Sequence, residues 1–139
     1  MSDAILPLRR AIHAHLSVDA ELTALIGAGR IHDEPPRAAS GLYVVHGEVT
    51  AEDWSTGSDR GCEQKLSLVV WAGESASSRK ALEAAARIVA SLEGAVLVPE
   101  GHRLANLTWL SSKLARDPKT HLPTVTAIAR AVARGNRAL

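Results

Sequence analysis

A chain of 139 residues with 16 Lys+Arg against 15 Asp+Glu, 22% charged and 46% hydrophobic, has the composition of a globular protein, neither disordered nor built of membrane spans. Its one cysteine excludes an intramolecular disulfide framework, and no Cys/His spacing supports a zinc finger. Apolar runs fall far short of the ~20 residues a bilayer requires; with no signal-like start either, a reducing, cytoplasmic setting is expected.

One domain over residues 1–139 is expected at this length. There is no Phe, one Tyr (Tyr43) and three Trp (Trp54, Trp71, Trp109), so the core must come from Leu, Val, Ile and Ala. A base-stacking platform would want more exposed aromatics. Charge is unevenly placed. Residues 1–100 carry 9 basic and 14 acidic residues, whereas residues 101–139 carry 7 basic residues and Asp117 as the only acid. Such a chain can present two complementary faces, or mix them into one solvated surface.

Ile5, Leu8, Ile12 and Leu16 recur at helical spacing, with Ser2 or Asp3 able to cap and Pro7 early enough to be tolerated. A second, short helix is predicted from Asp19, turning Leu22, Leu25 and Ile26 inward and stopping at Gly27. From Gly27 to Gly41, glycines, charges and the consecutive Pro35 and Pro36 predict an irregular connection. Residues 42–50 read as a strand rich in β-formers. Ala51 to Gly61 is polar and reads as a loop or a hairpin tip.

Residues 63–72 alternate, with Leu66, Leu68 and Val70 on one face and Lys65, Ser67, Val69 and Trp71 on the other. From Ser75 to Leu92 the period becomes helical. Leu82, Ala85, Ala86, Val89 and Leu92 are the expected inward face, Ser75 or Ser77 the cap and Gly94 the stop. Residues 103–114 alternate again, setting Leu104, Asn106, Thr108 and Leu110 against Ala105, Leu107 and Trp109, and Asp117-Pro118-Lys119 turns the chain. Residues 122–134 begin strand-like at Thr124, Val125 and Thr126 and continue Ala-rich. A strand pairing with residues 103–114 is favoured over a helix, because a central strand needs partners on both edges.

The order helix, helix, strand, strand, helix, strand, strand predicts an α+β fold. A mostly antiparallel sheet of about four strands in two hairpins would carry a central helix on one face, with N-terminal helices beside it.

Chemistry-bearing patterns are sparse. Gly27-Ala-Gly29 begins a dinucleotide signature, but His32 stands at the third glycine position and no strand precedes it. Cys62 opens a strand, where a thiol is more often a small hydrophobe than a nucleophile. His13 and His15 point to different helix faces. His32, Asp33 and Glu34 hold ligand-type atoms, yet a turn before the two prolines explains them more simply. His46, His102 and His121 stand apart from one another in sequence. No catalytic residue, metal or cofactor is expected. Arg130, Arg134 and Arg137 could track phosphates if helical.

Tyr43-Val-Val-His-Gly-Glu-Val-Thr-Ala-Glu-Asp-Trp54-Ser is followed by Glu63-Gln-Lys-Leu-Ser-Leu-Val-Val-Trp71. Then come the Ser/Arg/Lys-led helix, Gly101-His-Arg-Leu-Ala-Asn-Leu and Arg116-Asp-Pro118. With this run, over roughly residues 3–132, the chain resembles the tail-terminator, or tail-completion, proteins of long-tailed phages, prophages and gene-transfer-agent particles. The resemblance lies in element order and in these segments, not in a catalytic motif. It implies a subunit that forms a ring with itself, typically a hexamer, on the head-proximal end of the tail tube. That ring stops tube polymerisation at the length set by the tape-measure protein, then offers a surface to the neck or head-completion proteins. DNA only passes through its lumen. No enzymatic activity and no membrane are implied, and assembly would take place in the bacterial cytoplasm. One departure is the last strand, often bulky in the family and here built on Ala127, Ala129, Ala131 and Ala133.

A ring is a closed heterologous assembly in which one patch meets a different patch on the neighbour. Glu48, Glu52, Asp53, Asp59 and Glu63 stand against Arg60 alone, forming an acidic stretch expected to project from the sheet toward a neighbouring subunit or the tube. Trp54 would be its anchor; the other reading folds Trp54 back onto its own sheet. A second candidate is the turn of Arg116, Asp117, Pro118 and Lys119 with Lys113, facing the acidic stretch of the next subunit or another tail component. Two rival readings remain at this point: another head–tail neck component, such as a head-completion or stopper protein, and a small nucleic-acid-binding domain using the basic C-terminal part.

Overall fold

The computed structural model describes residues 4–37, 39–53, 55, 60–74 and 76–135. Helix α1 (Ile5–Ser17) buries Leu8, Ile12 and Leu16, while Ile5 is half-buried at its start. Ala4 occupies its N-cap position without a side-chain cap bond; Ser2 and Asp3 lie outside the described residues. Gln64, buried in the sheet, donates from Nε2 to the Ala4 carbonyl at 2.9 Å and ties the helix start to the strand beneath it. Helix α2 (Ala20–Ile26) is capped by Asp19, whose carboxylate accepts the Leu22 N–H at 2.8 Å. It stops at Gly27, whose φ of 94° suits a residue without a Cβ. Leu22 and Ile26 are buried, but Leu25 is 37% exposed rather than inward.

The connection after α2 contains a strand that its composition hides. Strand β1 (Ile31–His32) pairs in parallel with Val44 and Val45 of β2 (Leu42–Asp53). Two residues are too few for a period-two pattern to show, so the sheet has five strands instead of the expected four. Arg30 fastens the segment, donating from Nε to the Leu42 carbonyl at 2.9 Å and from its terminal nitrogen to the Ser40 carbonyl.

Strands β2 and β3 (Gly61–Ala72) form an antiparallel hairpin running from the Leu42–Ala72 pair to the Asp53–Cys62 pair, with a bulge between His46 and Val49. Ala51, Glu52 and Asp53, expected in a loop or hairpin tip, are therefore strand. Cross-strand hydrogen bonding extends the ladder over residues whose own β-preference is low. On β3 the alternation is as predicted: Leu66, Leu68 and Val70 are buried, whereas Lys65 is exposed and Ser67, Val69 and Trp71 are half-buried. Gly73 follows, and a Cβ there would lie 2.7 Å from the Ala39 carbonyl oxygen and 3.0 Å from that of Gly41. Only glycine fits where these backbones approach so closely.

Helix α3 (Ser78–Leu92) is capped by Ser77, whose hydroxyl accepts the Lys80 N–H at 3.3 Å. It buries Ala81, Ala84, Ala85, Ile88, Ser91 and Leu92. The expected inward face is thus rotated: Leu82 is 44% exposed and Ala86 is exposed, while Ala81 and Ile88 take the core positions. Both sets obey helical spacing, and the sheet below selects the Ile88 side.

Strands β4 (His102–Arg116) and β5 (Pro123–Gly135) form the second antiparallel hairpin, and β5 also pairs with β3. The sheet order is β1-β2-β3-β5-β4. The Ala-rich final segment is thus a central strand, and Ala127, Ala131 and Ala133 are buried. Small side chains on β5 and on α3 let the helix lie close to the sheet, so bulk is not needed there. Two bulges in β4, at Leu104/Asn106 and Trp109/Ser111, break the simple two-face split expected for that strand. Leu8, Ile12 and Leu16, Leu22 and Ile26, and Ile88 and Leu92 join Leu66, Leu68, Val70 and Val125 in one core on one face of the sheet.

Candidate functional site

The sheet register places the acidic and basic candidates far apart. Asp53 sits opposite Cys62, Cys62 opposite Ala133, and Ala133 opposite Leu104. Lys113 sits opposite Thr126, Thr126 opposite Val69, and Val69 opposite Val45. Along β2 these two rows are about 25 Å apart at about 3.3 Å per residue. Glu52 and Asp53 therefore lie at one end of the sheet, and Lys113, Arg116, Asp117 and Lys119 at the other. They cannot pair within one copy.

Glu48, Glu52 and Asp53 are exposed on β2. Asp53 accepts both the Ser55 N–H at 2.9 Å and the Ser55 hydroxyl at 2.6 Å, and those bonds hold its carboxyl below the usual carboxylate range. Trp54 and Asp59 lie outside the described residues. At the opposite end, Asp117 Oδ2 accepts the Thr120 N–H at 2.9 Å, the Thr120 hydroxyl at 3.0 Å and the Lys119 N–H at 3.1 Å, which lowers its pKa as well. Arg116 donates from Nη1 to the His121 carbonyl at 3.1 Å, and His121 has a φ of 62°. Asp117 and Arg116 thus shape the turn, while Lys113 and Lys119 are exposed.

Two strands carry a feature that no single motif announced. Thr50–Asp53 on β2 and Thr108–Arg116 on β4 are exposed on both faces of the sheet. On β4 that stretch includes Trp109, Leu110 and Leu114, each 45–46% exposed. Alternation marked these leucines and Trp109 as strand residues. It could not tell that β4 would be an outer strand, because that follows from β5 inserting between β3 and β4. Arg103, opposite Arg134 on β5, adds a further exposed cation to β4.

The histidines, distant in sequence, do meet in one place. His13 on α1 stacks on His46 of β2 with ring centroids 5.5 Å apart and Nδ1 of His13 3.3 Å from Nε2 of His46. His46 is 8% exposed. Burial, then the positive charge of Arg9 and the neighbouring His13, pushes its pKa down to about 4. His15 points elsewhere, its Nε2 2.9 Å from the Ser91 carbonyl oxygen. The ring of His32 lies edge-on to Tyr43, which stacks on Trp71. Among the described residues no three His, Cys, Asp or Glu side chains group to hold a metal ion. Cys62 is a buried thiol within β3, and Gly27 and Gly29 shape the turn that ends α2. Arg130 and Arg134 are strand residues, so they do not form the helical phosphate track. Arg130 is paired with Glu63 at 3.3 Å; Arg137 lies outside the described residues. No helix among the described residues is long and apolar enough to cross a membrane.

The arrangement is one of extended strand surfaces, charged and apolar, on a helix-backed sheet. The model of one family, tail completion protein gp17, matches residues 10–134. The chain belongs to this family and is a structural protein of phage-type tails. It is also similar in structure to a chain of the virion of a native gene transfer agent particle, with 31% sequence identity and a TM-score of 0.82 over 92% of this chain and 95% of that one. No curated protein sequence matches it.

Proposed function

We propose that the chain forms a ring, a hexamer by the family resemblance, at the head-proximal end of a tail tube. The ring ends tube polymerisation and joins the tail to the neck and head of a phage-like particle assembled in the bacterial cytoplasm. The likeness to a chain of the gene-transfer-agent virion over nearly the full length of both is the observation that carries this reading. The charge layout supports it: acidic Glu48, Glu52 and Asp53 and basic Lys113, Arg116 and Lys119 lie too far apart to satisfy one another within one copy, but can do so between copies or against other tail components. Trp54 and Asp59 belong to the same proposed acidic contact, and Asp117 serves by holding the turn. DNA would pass through the lumen without being gripped, since a strongly basic lining would slow its transit.

Polymerisation of the tail tube protein with increasing amounts of this chain tests the reading. The expected result, seen by negative-stain microscopy, is tubes that stop growing with extra density at one end. Tubes of unchanged length and bare ends would contradict it. Arg116→Glu with Lys119→Glu should reduce that capping while leaving a folded chain.

A further inference from the structure

We propose that neighbouring copies join edge to edge, the outer edge of β4 in one pairing with the outer edge of β2 in the next; this inference rests on the ring reading above. An outer strand leaves a row of backbone N–H and C=O groups unpaired, and proteins that stay as single copies shield such edges with bulges, prolines or charge. β4 is a long outer strand whose Thr108–Arg116 stretch is exposed on both faces, with Leu110 and Leu114 45% and 46% exposed; its two bulges lie at Leu104/Asn106 and Trp109/Ser111, so from Ser111 to Arg116 the strand runs regular and unbulged. Lys113 and Arg116 are the only charged side chains there. The other side of the sheet is open in a matching way. β1 covers β2 only at Val44 and Val45, and the Arg9 guanidinium reaches the Gly47 carbonyl at 3.4 Å. Beyond that point β2 runs on through Val49–Asp53, paired among the described residues on its β3 side alone.

Charge selects the pairing. The free part of β2 carries Glu48, Glu52 and Asp53 and no base; β4 carries Arg103, Lys113 and Arg116 and no acid. β4 against a second β4 would bring two cationic strands together with no acid on either, and like charges across strands are unfavourable. β4 against β2 sets cations against anions. Within the sheet β2 and β4 run in opposite directions, because β2–β3, β3–β5 and β5–β4 are each antiparallel. A second copy in the same orientation would therefore extend the sheet by one more antiparallel pair.

Because the two edges face opposite ways on one chain, the contact is heterologous, and it can repeat around a closed ring. The exposed stretches, Thr50–Asp53 and Thr108–Arg116, lie toward opposite ends of the sheet, so joining them staggers each copy along the strands. Stagger combined with strand tilt is how closed sheets are built.

Two charge-reversed proteins test this, Lys113→Glu with Arg116→Glu on β4, and Glu52→Lys with Asp53→Lys on β2. All four positions are exposed, so each protein should keep the far-ultraviolet circular dichroism of the parent. Native mass spectrometry is run on the parent and each variant with and without the tail tube protein. The seam predicts loss of the ring mass in each variant alone and its return in the chain carrying all four reversals. A ring mass that survives either reversal, or fails to return in the fourfold variant, overturns the seam and leaves the ring reading standing. A parent chain that stays monomeric in both samples overturns the ring reading and the seam with it.

Discussion

Along β3, Cys62, Gln64, Leu66, Leu68, Val70 and Ala72 are all buried, one face of the strand lying under the helices, whereas Thr108–Arg116 of β4 are exposed on both faces. Specific polar ties join the helices to one another and to β3. Gln64 reaches the start of α1, and Asp19 both caps α2 and accepts two hydrogen bonds from Arg87 of α3, at 2.8 and 3.1 Å. Ala84, Ala85 and Ile88 of α3 and Val125 and Ala131 of β5 are buried in the same core. The open stretches of β2 and β4 have neither face covered, and their charged, polar and apolar side chains are exposed alike. The difference separates the middle of the sheet, which holds the fold, from the edges, which the helices leave uncovered.

The largest way to break that contrast is to empty the middle. Ile88 is 1% exposed, and Ile88→Ala removes a buried branch where a helix meets the sheet, at a cost of about 4 kcal/mol. Chemical denaturation should show it as a lower midpoint with an unchanged slope. A loss below about 1 kcal/mol would mean the helix–sheet contact is not where the stability lies.

Acid should come next. His46 is buried neutral, with a folded pKa of about 4 against about 6.5 when unfolded. The unfolded chain therefore takes up its proton first. Stability is fully present above about pH 6.5 and falls by about 3 kcal/mol as the pH drops through about 4. His46→Gln should remove most of that fall. Asp19 acts lower. Its carboxyl, held well below the usual range chiefly by the Arg87 hydrogen bonds, contributes stability above about pH 4 that is lost only as the pH falls further. A flat stability profile between pH 7 and 4 would contradict the burial of His46.

The smallest effect sharpens the contrast from the other side. Lys113→Glu on the exposed part of β4 should change folding stability by no more than about 0.5 kcal/mol, measured on the monomer at low protein concentration. A drop of several kcal/mol would place Lys113 in the folding core rather than at an edge.

Much of the fold was legible because period and punctuation are local signals. The β3 alternation, the Asp19 and Ser77 caps, the Gly27 stop and the two hairpins all follow from residues close in sequence. What remained hidden depends on neighbours far along the chain. β1 is too short to carry a pattern, and β2 extends through Glu52 and Asp53 because β3 supplies hydrogen-bond partners. α3 offered two faces of equal helical spacing, separable only by the sheet it packs on. The candidate site was legible as charge, since the acidic and basic clusters are plain in the sequence, but not as geometry. That Glu52 and Lys113 lie toward opposite ends of one sheet, and that β4 has an open edge, follows from the β3-β5-β4 order. The His13–His46 stack joins residues from a helix and a strand that no spacing rule relates.

The measurement that bears most directly on the central claim is the native mass of the purified chain at rising concentration, alone and with its tail tube protein. A ring-sized mass is expected in at least one of the two samples. A monomer in both, at every concentration, would contradict it.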